Sequence, residues 1–333
     1  MKFILSRKIL TQFLTIAAWA LAPLATQATV KTVCISQVVE HPALNQTRQG
    51  ILEAMRQAGY IEGQTLDLYY ESAQANPVLA QQIAAKFIAI KPDVAVGIGT
   101  LSAQSLAKAA RQGQLNLIFS SITDPLGAGL VKSLQSPGYP ISGVSNFVAL
   151  EPQLKLYRTL LPKLATLGIL YNPAEANSAQ IVSTLKTLCP TLGITLIAQP
   201  LMRTADAAQS ATSLASRCDA IFISNDNTSL AALPAIINAS RKLRIPVFVS
   251  DVDAVPQGAL AAMGPNQYSI GLQTGQMIVR VLQGESPQAM AVEFPTTTEA
   301  AINALVARNM GITLPEAITK DPSIQILNTQ ATP

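Results

Sequence analysis

The chain has 333 residues, of which 49% are hydrophobic and 13% charged. This balance suits one large or two ordinary globular domains and excludes a disordered chain. The net charge is +4, but the first 28 residues hold three basic and no acidic residues, which leaves +1 for the remainder. That remainder lacks a basic cluster with interleaved aromatic residues, so no nucleic-acid partner is expected.

Residues 1–28 are typical of a cleaved secretory signal peptide. Three basic residues precede an apolar stretch at 9–24, and Ala25-Thr26-Gln27-Ala28 offers small residues at the cleavage site. The alternative is an uncleaved membrane anchor, which is disfavoured because three residues shorten the apolar span: Thr11, Gln12 and Pro23. The sequence therefore predicts an exported protein without a membrane span.

Strand and helix patterns then alternate in two series. The first series has strands at 33–39, 66–71, 94–98 and 115–120 and helices at 45–58, 77–90 and 102–111. The second has strands at 166–171, 194–200, 220–224 and 246–250 and helices at 179–188, 205–216 and 230–243, with a late helix at 271–282. The βαβα order predicts parallel sheets with helices on both faces.

The two series indicate two lobes of similar fold. A stretch rich in glycine and proline at 137–151 separates them, and we expect the late helix to cross back to the first lobe. The predicted organisation is an N-terminal lobe of 29–145 plus about 267–285, and a C-terminal lobe of 146–266 plus about 286–330.

Polar side chains gather where the predicted strands end. Ligands of open parallel sheets bind beyond the carboxyl ends of the strands, so the two edges would form a cleft if they face each other. The candidate binding residues at these ends are Val39, His41, Thr100, Leu101, Ser102, Ser121, Thr123, Asp124, Asn172, Glu175, Asn177, Asp226, Asn227 and Asp251.

The residue inventory disfavours an enzyme. His41 is the sole histidine, and no Gly-x-Ser-x-Gly turn accompanies it. No Cys/His cluster has metal-ligand spacing, and Gly97-Ile98-Gly99 lacks the rest of a phosphate loop. We therefore expect no catalysis, metal or cofactor.

The chain has three cysteines, Cys34, Cys189 and Cys218. Cys34 lies in an apolar strand and is expected to be a buried free thiol. Cys189 and Cys218 are predicted at the same edge of the second lobe. Either a disulfide or two buried thiols fits, because sequence does not give the Cα separation that a bridge requires.

Several strand-end segments resemble the ABC-transporter substrate-binding proteins related to tryptophan- and tyrosine-binding lipoproteins. The similar segments are Gln37–Leu44 with Thr47–Gly50, Thr123–Val131, Leu170–Pro173 with Glu175–Ser178, and Asp226–Thr228. The resemblance runs from about Val33 to Glu293. It implies a type I periplasmic-binding fold of two Rossmann-like lobes joined by a three-strand hinge, with an aromatic amino acid as the solute.

The chain departs from the family at two points. Ser250 stands where relatives often have glycine, and no lipid-attachment cysteine follows the apolar stretch. The second departure suggests a freely diffusing protein of a Gram-negative periplasm. The implied partners are a small-molecule ligand and an inner-membrane ABC permease, with the protein as a monomer.

A zwitterionic amino acid places separate demands on such a cleft. Its carboxylate suits the turn at Thr100–Ser102 before a helix, with Ser121 and Thr123 adding hydroxyls, although Thr100 or Ser102 could simply cap that helix. Its ammonium needs a carboxylate, for which the candidates are Asp124, Glu175, Asp226 and Asp251. Apolar contacts would come from Val39, Leu101 and Ile122, and His41 could stack on a ring.

Other readings of the sequence remain open. The same fold could bind a nucleoside, a sugar or an aliphatic amino acid. The protein could also be an exported sensory or enzymatic protein without a transport role.

Overall fold

The computed structural model describes residues 29–328, so the predicted signal peptide at 1–28 and the last few residues lie outside the described part. The strands are β1 (Lys31–Gln37), β2 (Leu66–Ser72), β3 (Val94–Ile98), β4 (Leu117–Ile122), β5 (Ile141–Ser145), β6 (Thr166–Tyr171), β7 (Thr195–Pro200), β8 (Ala220–Ile223), β9 (Val247–Val249), β10 (Ala261–Gly264), β11 (Glu299–Asn303) and β12 (Ile324–Leu327).

The helices lie between these strands. They are α1 (Pro42–Gln57), α2 (Pro77–Ile90), α3 (Thr100–Arg111), α4 (Leu150–Leu160), α5 (Ala176–Thr191), α6 (Ala207–Ala215), α7 (Asn227–Ala231), α8 (Leu233–Lys242), α9 (Gln267–Leu282), α10 (Ala304–Asn309) and α11 (Glu316–Thr319). Short 3₁₀ turns occur at Thr204–Asp206, Val252–Gln257 and Pro287–Ala289.

The first lobe is built on a parallel sheet with the order β2-β1-β3-β4-β5. Alternate strand residues face opposite sides, which gives two apolar cores. Helices α2 and α3 cover one face, with Phe87 and Phe119 at its centre. Helices α1 and α9 cover the other, around Ile35 and Ile118.

The second lobe has a sheet with the order β12-β11-β10-β9-β8-β6-β7, in which only β10 and β11 are antiparallel among the described strands. Helices α6 and α8 cover one face and α4 and α5 the other. Tyr157 of α4 stacks on Phe248 of β9 with centroids 4.0 Å apart, a contact worth about 1 kcal/mol beyond its buried area. The predicted α/β fold of two lobes with mainly parallel sheets is confirmed.

Three connections join the lobes. The chain leaves the first sheet after β5 through 146–149, returns after β10 through 265–266 into α9, and crosses again through 294–298 into β11. Met290 and Val292 are buried against the first sheet, and Glu293 bridges to Val144. The first lobe therefore runs to about Glu293 rather than to the expected 285, because these apolar side chains complete its core.

The three cysteines are buried free thiols. Cys189 packs with α4 and α5 on one face of the second sheet, whereas Cys218 packs with α6 and α8 on the opposite face. The sheet thus separates the two thiols, which decides the open question against a bridge between Cys189 and Cys218. Burial raises the pKa of Cys189 and of Cys218 to about 11 in each case, so both thiols stay protonated at neutral pH.

Candidate ligand-binding site between the lobes

A polar cavity lies where the carboxyl ends of the two sheets meet. Both lobes line it. The lining residues are His41, Leu44, Gly99, Thr100, Ser121, Thr123, Asn146, Asn177, Asn225, Asn227, Leu230, Asp251 and Gln267. Its volume is about 10 Å³, which is room for roughly one water molecule. A ligand of amino-acid size therefore requires the lobes to move apart from the arrangement seen here.

Asp251 is the acidic residue of this cavity. It directly follows β9 and is only 1% exposed. Its Oδ1 accepts a hydrogen bond of 2.7 Å from Gln267 Nε2, and no salt bridge reaches it within residues 29–328. Burial raises the pKa of Asp251 to about 7, with the nearby Asp253 acting in the same direction. A buried carboxyl with one hydrogen-bond donor and no cation is suited to receive a cationic ligand group.

The N-terminus of α3 lines the same cavity from the other lobe. Gly99 precedes it with a φ of 83°, and a Cβ there would lie 2.4 Å from Val38 Cγ1, so only glycine fits. The first turn of any helix has free N–H groups and a partial positive charge, which suits an anion. Among the described side chains none caps α3, so the alternative of simple capping by Thr100 or Ser102 is not seen.

The two residues after Thr100 turn away from the cavity. Ser102 Oγ accepts a hydrogen bond of 3.0 Å from Ser36 Oγ inside the first lobe. Leu101 packs against both cores of that lobe. Of the three predicted residues at this turn, Thr100 alone has a place in the lining because the helix directs the next two side chains inward.

Ser121 reaches the cavity through an irregularity in β4. Its φ is 57°, and the pairing with β5 shifts register between Ser120 and Ile122. A non-glycine residue in this conformation costs on the order of 1 kcal/mol. The bulge turns the Ser121 hydroxyl towards Gln267 Oε1, to which it donates at 2.9 Å.

Thr123 and Asn177 line the cavity from opposite lobes. Thr123 Oγ1 donates to Asn146 Oδ1 at 3.2 Å, and Asn177 Nδ2 donates to the carbonyl oxygen of Asn225 at 2.6 Å. Each bond uses only part of the hydrogen-bonding capacity of Thr123 or Asn177. The rest of the hydroxyl and amide groups is left at the cavity wall.

Glu175 and Asp226 do not line the cavity. Both were candidates for binding an ammonium group, but their oxygens are committed to protein donors. Glu175 accepts from the backbone and side chains of Asn227 and Thr228 at 2.6–3.0 Å. Burial and the charge of Asp226 raise the pKa of the Glu175 carboxyl.

Asp226 holds the beginning of α7. Its carboxylate accepts from Ser229 N, from Ser178 Oγ and from Asn172 N, each at 2.6 Å, and it is fully buried. Asn172 in turn donates to Thr228 Oγ1 at 3.0 Å and lies outside the lining. These acidic and amide groups build the edge of the second lobe that presents Asn227 to the cleft.

His41 and Asn227 meet across the cleft. His41 Nε2 lies 3.5 Å from Asn227 Oδ1, and the Asn227 amide nitrogen is held by Glu175, so the oxygen faces the ring. Burial lowers the pKa of His41 to about 4, so the ring is neutral at pH 7. This contact joins the lobes, and Asn227 lines both the cavity and an outer groove.

The outer groove of about 720 Å³ has walls from both lobes, including Val39, Met202 and Asn227. Val39 is therefore at the mouth rather than in the inner cavity. Asp124 is also outside the inner cavity, because its Oδ1 accepts from Gly127 N at 2.8 Å in the following turn.

Six lining residues were absent from the sequence-based candidates: Leu44, Gly99, Asn146, Asn225, Leu230 and Gln267. Asn225 follows β8 and carried a visible strand-end signal. Gln267 did not, because the late helix was expected to begin at Gly271, four residues after its actual start.

Comparison with known proteins agrees with this architecture. Residues 32–326 match the model of a family described as ABC transporter substrate binding protein. The chain belongs to this family. Members bind a small-molecule ligand and work with a membrane permease, and the family is extracellular or periplasmic. Within residues 29–328, no helix has the length and apolarity needed to cross a membrane.

Among family relatives, a tyrosine-binding protein of Clostridioides difficile is 32% identical over 273 residues, which is 82% of this chain and 79% of that protein. The structure of an ABC domain in complex with L-Trp from Streptococcus pneumoniae has a TM-score of 0.85 at 31% identity, covering 90% of this chain and 100% of that one. The ligand-free, open structure of a substrate-binding protein with adhesive properties from Clostridium difficile has a TM-score of 0.68 at 32% identity, with coverage of 90% and 100%.

These two structures differ in how well they superpose on this chain. Their sequence identities to this chain are equal within 1%, so divergence does not explain the different TM-scores. The lobes of this substrate-binding protein are therefore arranged more like those of the L-Trp complex than like those of the open form. In this arrangement His41 of the first lobe is in direct contact with Asn227 of the second.

Proposed function

We propose that this substrate-binding protein captures an aromatic amino acid in the periplasm and delivers it to an ABC importer. The observation that supports the proposal most strongly is Asp251, a carboxyl that is 1% exposed at the cavity wall with a single side-chain donor. A ligand ammonium would supply the missing positive charge.

The two charged groups of an amino acid fit opposite lobes. The ammonium would pair with Asp251 of the second lobe, and the carboxylate would accept hydrogen bonds at the start of α3, with Thr100 and Ser121 beside it. Neither lobe alone offers both partners. We therefore expect binding to favour lobes that are close enough for both partners to reach the ligand, although further apart than in the arrangement seen here.

The choice of an aromatic side chain rests on the relatives and on the remaining lining. The relatives named above bind tyrosine in one case and L-Trp in the other. Leu44, Leu230 and the neutral ring of His41 offer apolar surface in the cavity lining. A ring placed there would separate His41 from Asn227 and enlarge the space.

The rest of the proposal joins family membership, which supports a permease partner, to the sequence of residues 1–28, which predicts export. An inner-membrane permease is the partner, the protein acts as a monomer, and residues 1–28 direct export to a Gram-negative periplasm. No catalytic step is part of the proposal, because the relatives are solute-binding proteins.

Calorimetric titration with three indole ligands tests the proposal. L-Tryptophan carries both charges, tryptamine lacks the carboxylate and indole-3-propionate lacks the ammonium. We expect saturable 1:1 binding of L-tryptophan and a loss of affinity of at least about 100-fold for each analogue, because each leaves one buried partner unpaired. If a nucleoside or an aliphatic amino acid binds more tightly, the aromatic assignment is wrong; equal binding of indole-3-propionate would remove the role of Asp251.

A further inference from the structure

The side chain of Gln267 connects the two lobes beside the cavity. Its Nε2 donates to Asp251 Oδ1 of the second lobe at 2.7 Å. Its Oε1 accepts from Thr47 Oγ1 and from Ser121 Oγ of the first lobe, each at 2.9 Å. All four residues are at most 6% exposed.

The backbone of Gln267 is tied to the second lobe as well. Asn266 caps α9 by accepting from Ser269 N, so Gln267 is the first residue of the helix. The N–H group at that position has no partner within a helix, and here it donates to Asp253 Oδ2 at 2.8 Å. Gln267 thus contacts both acidic residues that follow β9, directly after the chain has crossed between the lobes.

Helix α9 itself is fixed to the first lobe by close backbone packing with α1. A Cβ on Gly271 would lie 2.1 Å from Thr47 O, and one on Gly50 would lie 2.2 Å from Tyr268 O. Gln267 and Thr47 therefore move together as parts of one rigid unit. Two bonds must therefore adjust when the second lobe rotates: the one from Gln267 Nε2 to Asp251 and the one from the Gln267 backbone N–H to Asp253.

The partners also determine which way the carboxamide faces. Its nitrogen lies against a carboxylate and its oxygen against two hydroxyl donors, whereas the flipped amide would place oxygen against carboxylate oxygen. The Ser121 bulge, with its positive φ, supplies one of those two hydroxyls.

We propose that Gln267 is a positioning residue for the ligand's ammonium group. Its side chain is held by hydroxyls of the first lobe, and its hydrogen bond to Asp251 orients that carboxylate towards the cavity when the lobes close. This role of Gln267 rests on the proposed function, because it explains how Asp251 is oriented to bind the ammonium group of an amino acid. Asp251 would bind the ligand, and Gln267 would act through Asp251 without touching the ligand's charged group.

A pH profile distinguishes positioning from a merely structural role. The hydrogen bond from Gln267 lowers the pKa of Asp251 against the larger effect of burial. The other titratable groups around Asp251 are Asp253, which raises its pKa, and His41, which lines the same cavity; Glu299 acts on Asp253. Removing the Gln267 bond should therefore move the ionisation of Asp251 to higher pH.

The test compares Gln267→Met with the matched substitution Gln276→Met, which replaces an exposed glutamine of the same helix. Affinity for L-tryptophan is measured from pH 5.5 to 8.5. We expect wild-type affinity to rise through about pH 7, and Gln267→Met to bind roughly tenfold more weakly at pH 6.5 but within about threefold of wild type at pH 8.5. Gln276→Met should follow the wild-type curve.

A loss of affinity in Gln267→Met that is the same at every pH would overturn the proposal, since a disordered site would weaken binding without moving a titration. If Gln267→Met does not fold, Thr47→Val removes one hydroxyl from the Gln267 oxygen, and we expect a smaller shift in the same direction. A Thr47→Val profile identical to that of wild type would contradict the proposal.

A second readout needs no ligand. Carbon-13 carboxyl NMR of the ligand-free protein, assigned with Asp251→Asn, should show Asp251 titrating at higher pH in Gln267→Met than in wild type. If wild type binds no amino acid but this shift is present, the proposed function fails while the link from Gln267 to Asp251 stands. If wild type binds and the Asp251 titration is unchanged in Gln267→Met, the role of Gln267 fails alone.

Discussion

At the scale of single residues, the buried acids of the second lobe have different roles although the sequence presents them alike. Glu175, Asp226 and Asp251 all follow predicted strands. Glu175 and Asp226 accept hydrogen bonds from backbone N–H groups at the start of α7. Asp251 accepts one hydrogen bond from a side chain and lines the cavity. The number of protein hydrogen-bond donors around each carboxylate therefore distinguishes the three acids, and the sequence does not give that number.

Asp251→Asn should remove the charge and keep the shape of the site. We expect affinity for L-tryptophan to fall at least about 100-fold, because the buried ammonium would lose its counter-ion, a cost of roughly 3 kcal/mol. Asp124→Asn is the matched control, since the Asp124 carboxylate caps Gly127 N outside the inner cavity. Calorimetry of both variants measures the difference. Equal losses in the two variants would exclude Asp251 as the specific ammonium partner.

The pH dependence of stability tests the burial of Asp251 in the ligand-free protein. Its folded pKa of about 7 lies above the ordinary value of 3.8, so between these values the folded state holds a proton that the unfolded state has released. Stability from this group is therefore present at low pH and is lost as pH rises towards 7.

Urea unfolding at several pH values checks this sign. Asp251→Asn has no such titration, so the free energy of unfolding of the variant minus that of wild type should grow by a few kcal/mol between about pH 4 and pH 7. A difference that stays constant over this range would mean that Asp251 ionises freely in the folded protein.

At the scale of elements, the hydrophobic periodicity predicted most of the structure. The strand at 94–98 and the helix at 77–90 have the bounds observed for β3 and α2, because each has a strong pattern between clear turn residues. The sequence missed β5, α4, β10 and everything after α9. Strand β5 lies in the stretch rich in glycine and proline that was assigned to a linker, and its pairing with β4 depends on long-range contacts.

Local sequence patterns also predicted only part of the candidate site. Strand ends identified Thr100, Ser121, Thr123, Asn177, Asn227, His41 and Asp251 as lining candidates because a parallel sheet gathers those ends. Asn146 and Gln267 lie at crossovers between lobes, and crossovers are set by how two folded units meet. Local patterns carry no signal for such positions.

The close contact between α1 and α9 makes a prediction for these elements. Gly271→Ala would place a Cβ 2.1 Å from Thr47 O, so the helices must separate. We expect the free energy of unfolding to fall by about 1–3 kcal/mol and affinity for L-tryptophan to fall as Gln267 is displaced. Gln276→Ala, on the exposed side of α9, should change stability by less than about 0.5 kcal/mol. Unchanged stability in Gly271→Ala would show that α9 is not held by this packing.

At the scale of the whole molecule, two lobes joined by three connections place the partners proposed for a zwitterionic ligand on different units. The N-terminus of α3 and the Ser121 hydroxyl belong to the first lobe, and Asp251 belongs to the second. Closing the lobes brings these groups together, and the inner cavity then has room for little more than water. We therefore expect the lobes to open from this arrangement when a ligand of amino-acid size binds between these groups.

Titration of the exported form of the protein with L-tryptophan tests the central claim most directly. Trp19 is the sole tryptophan of the chain and belongs to the predicted signal peptide, so indole fluorescence after its removal reports on the ligand alone. We expect a saturable rise in the anisotropy of L-tryptophan that tyrosine or phenylalanine competes away. A folded protein that leaves the anisotropy unchanged after it has been unfolded and refolded to release bound ligand would contradict capture of an aromatic amino acid.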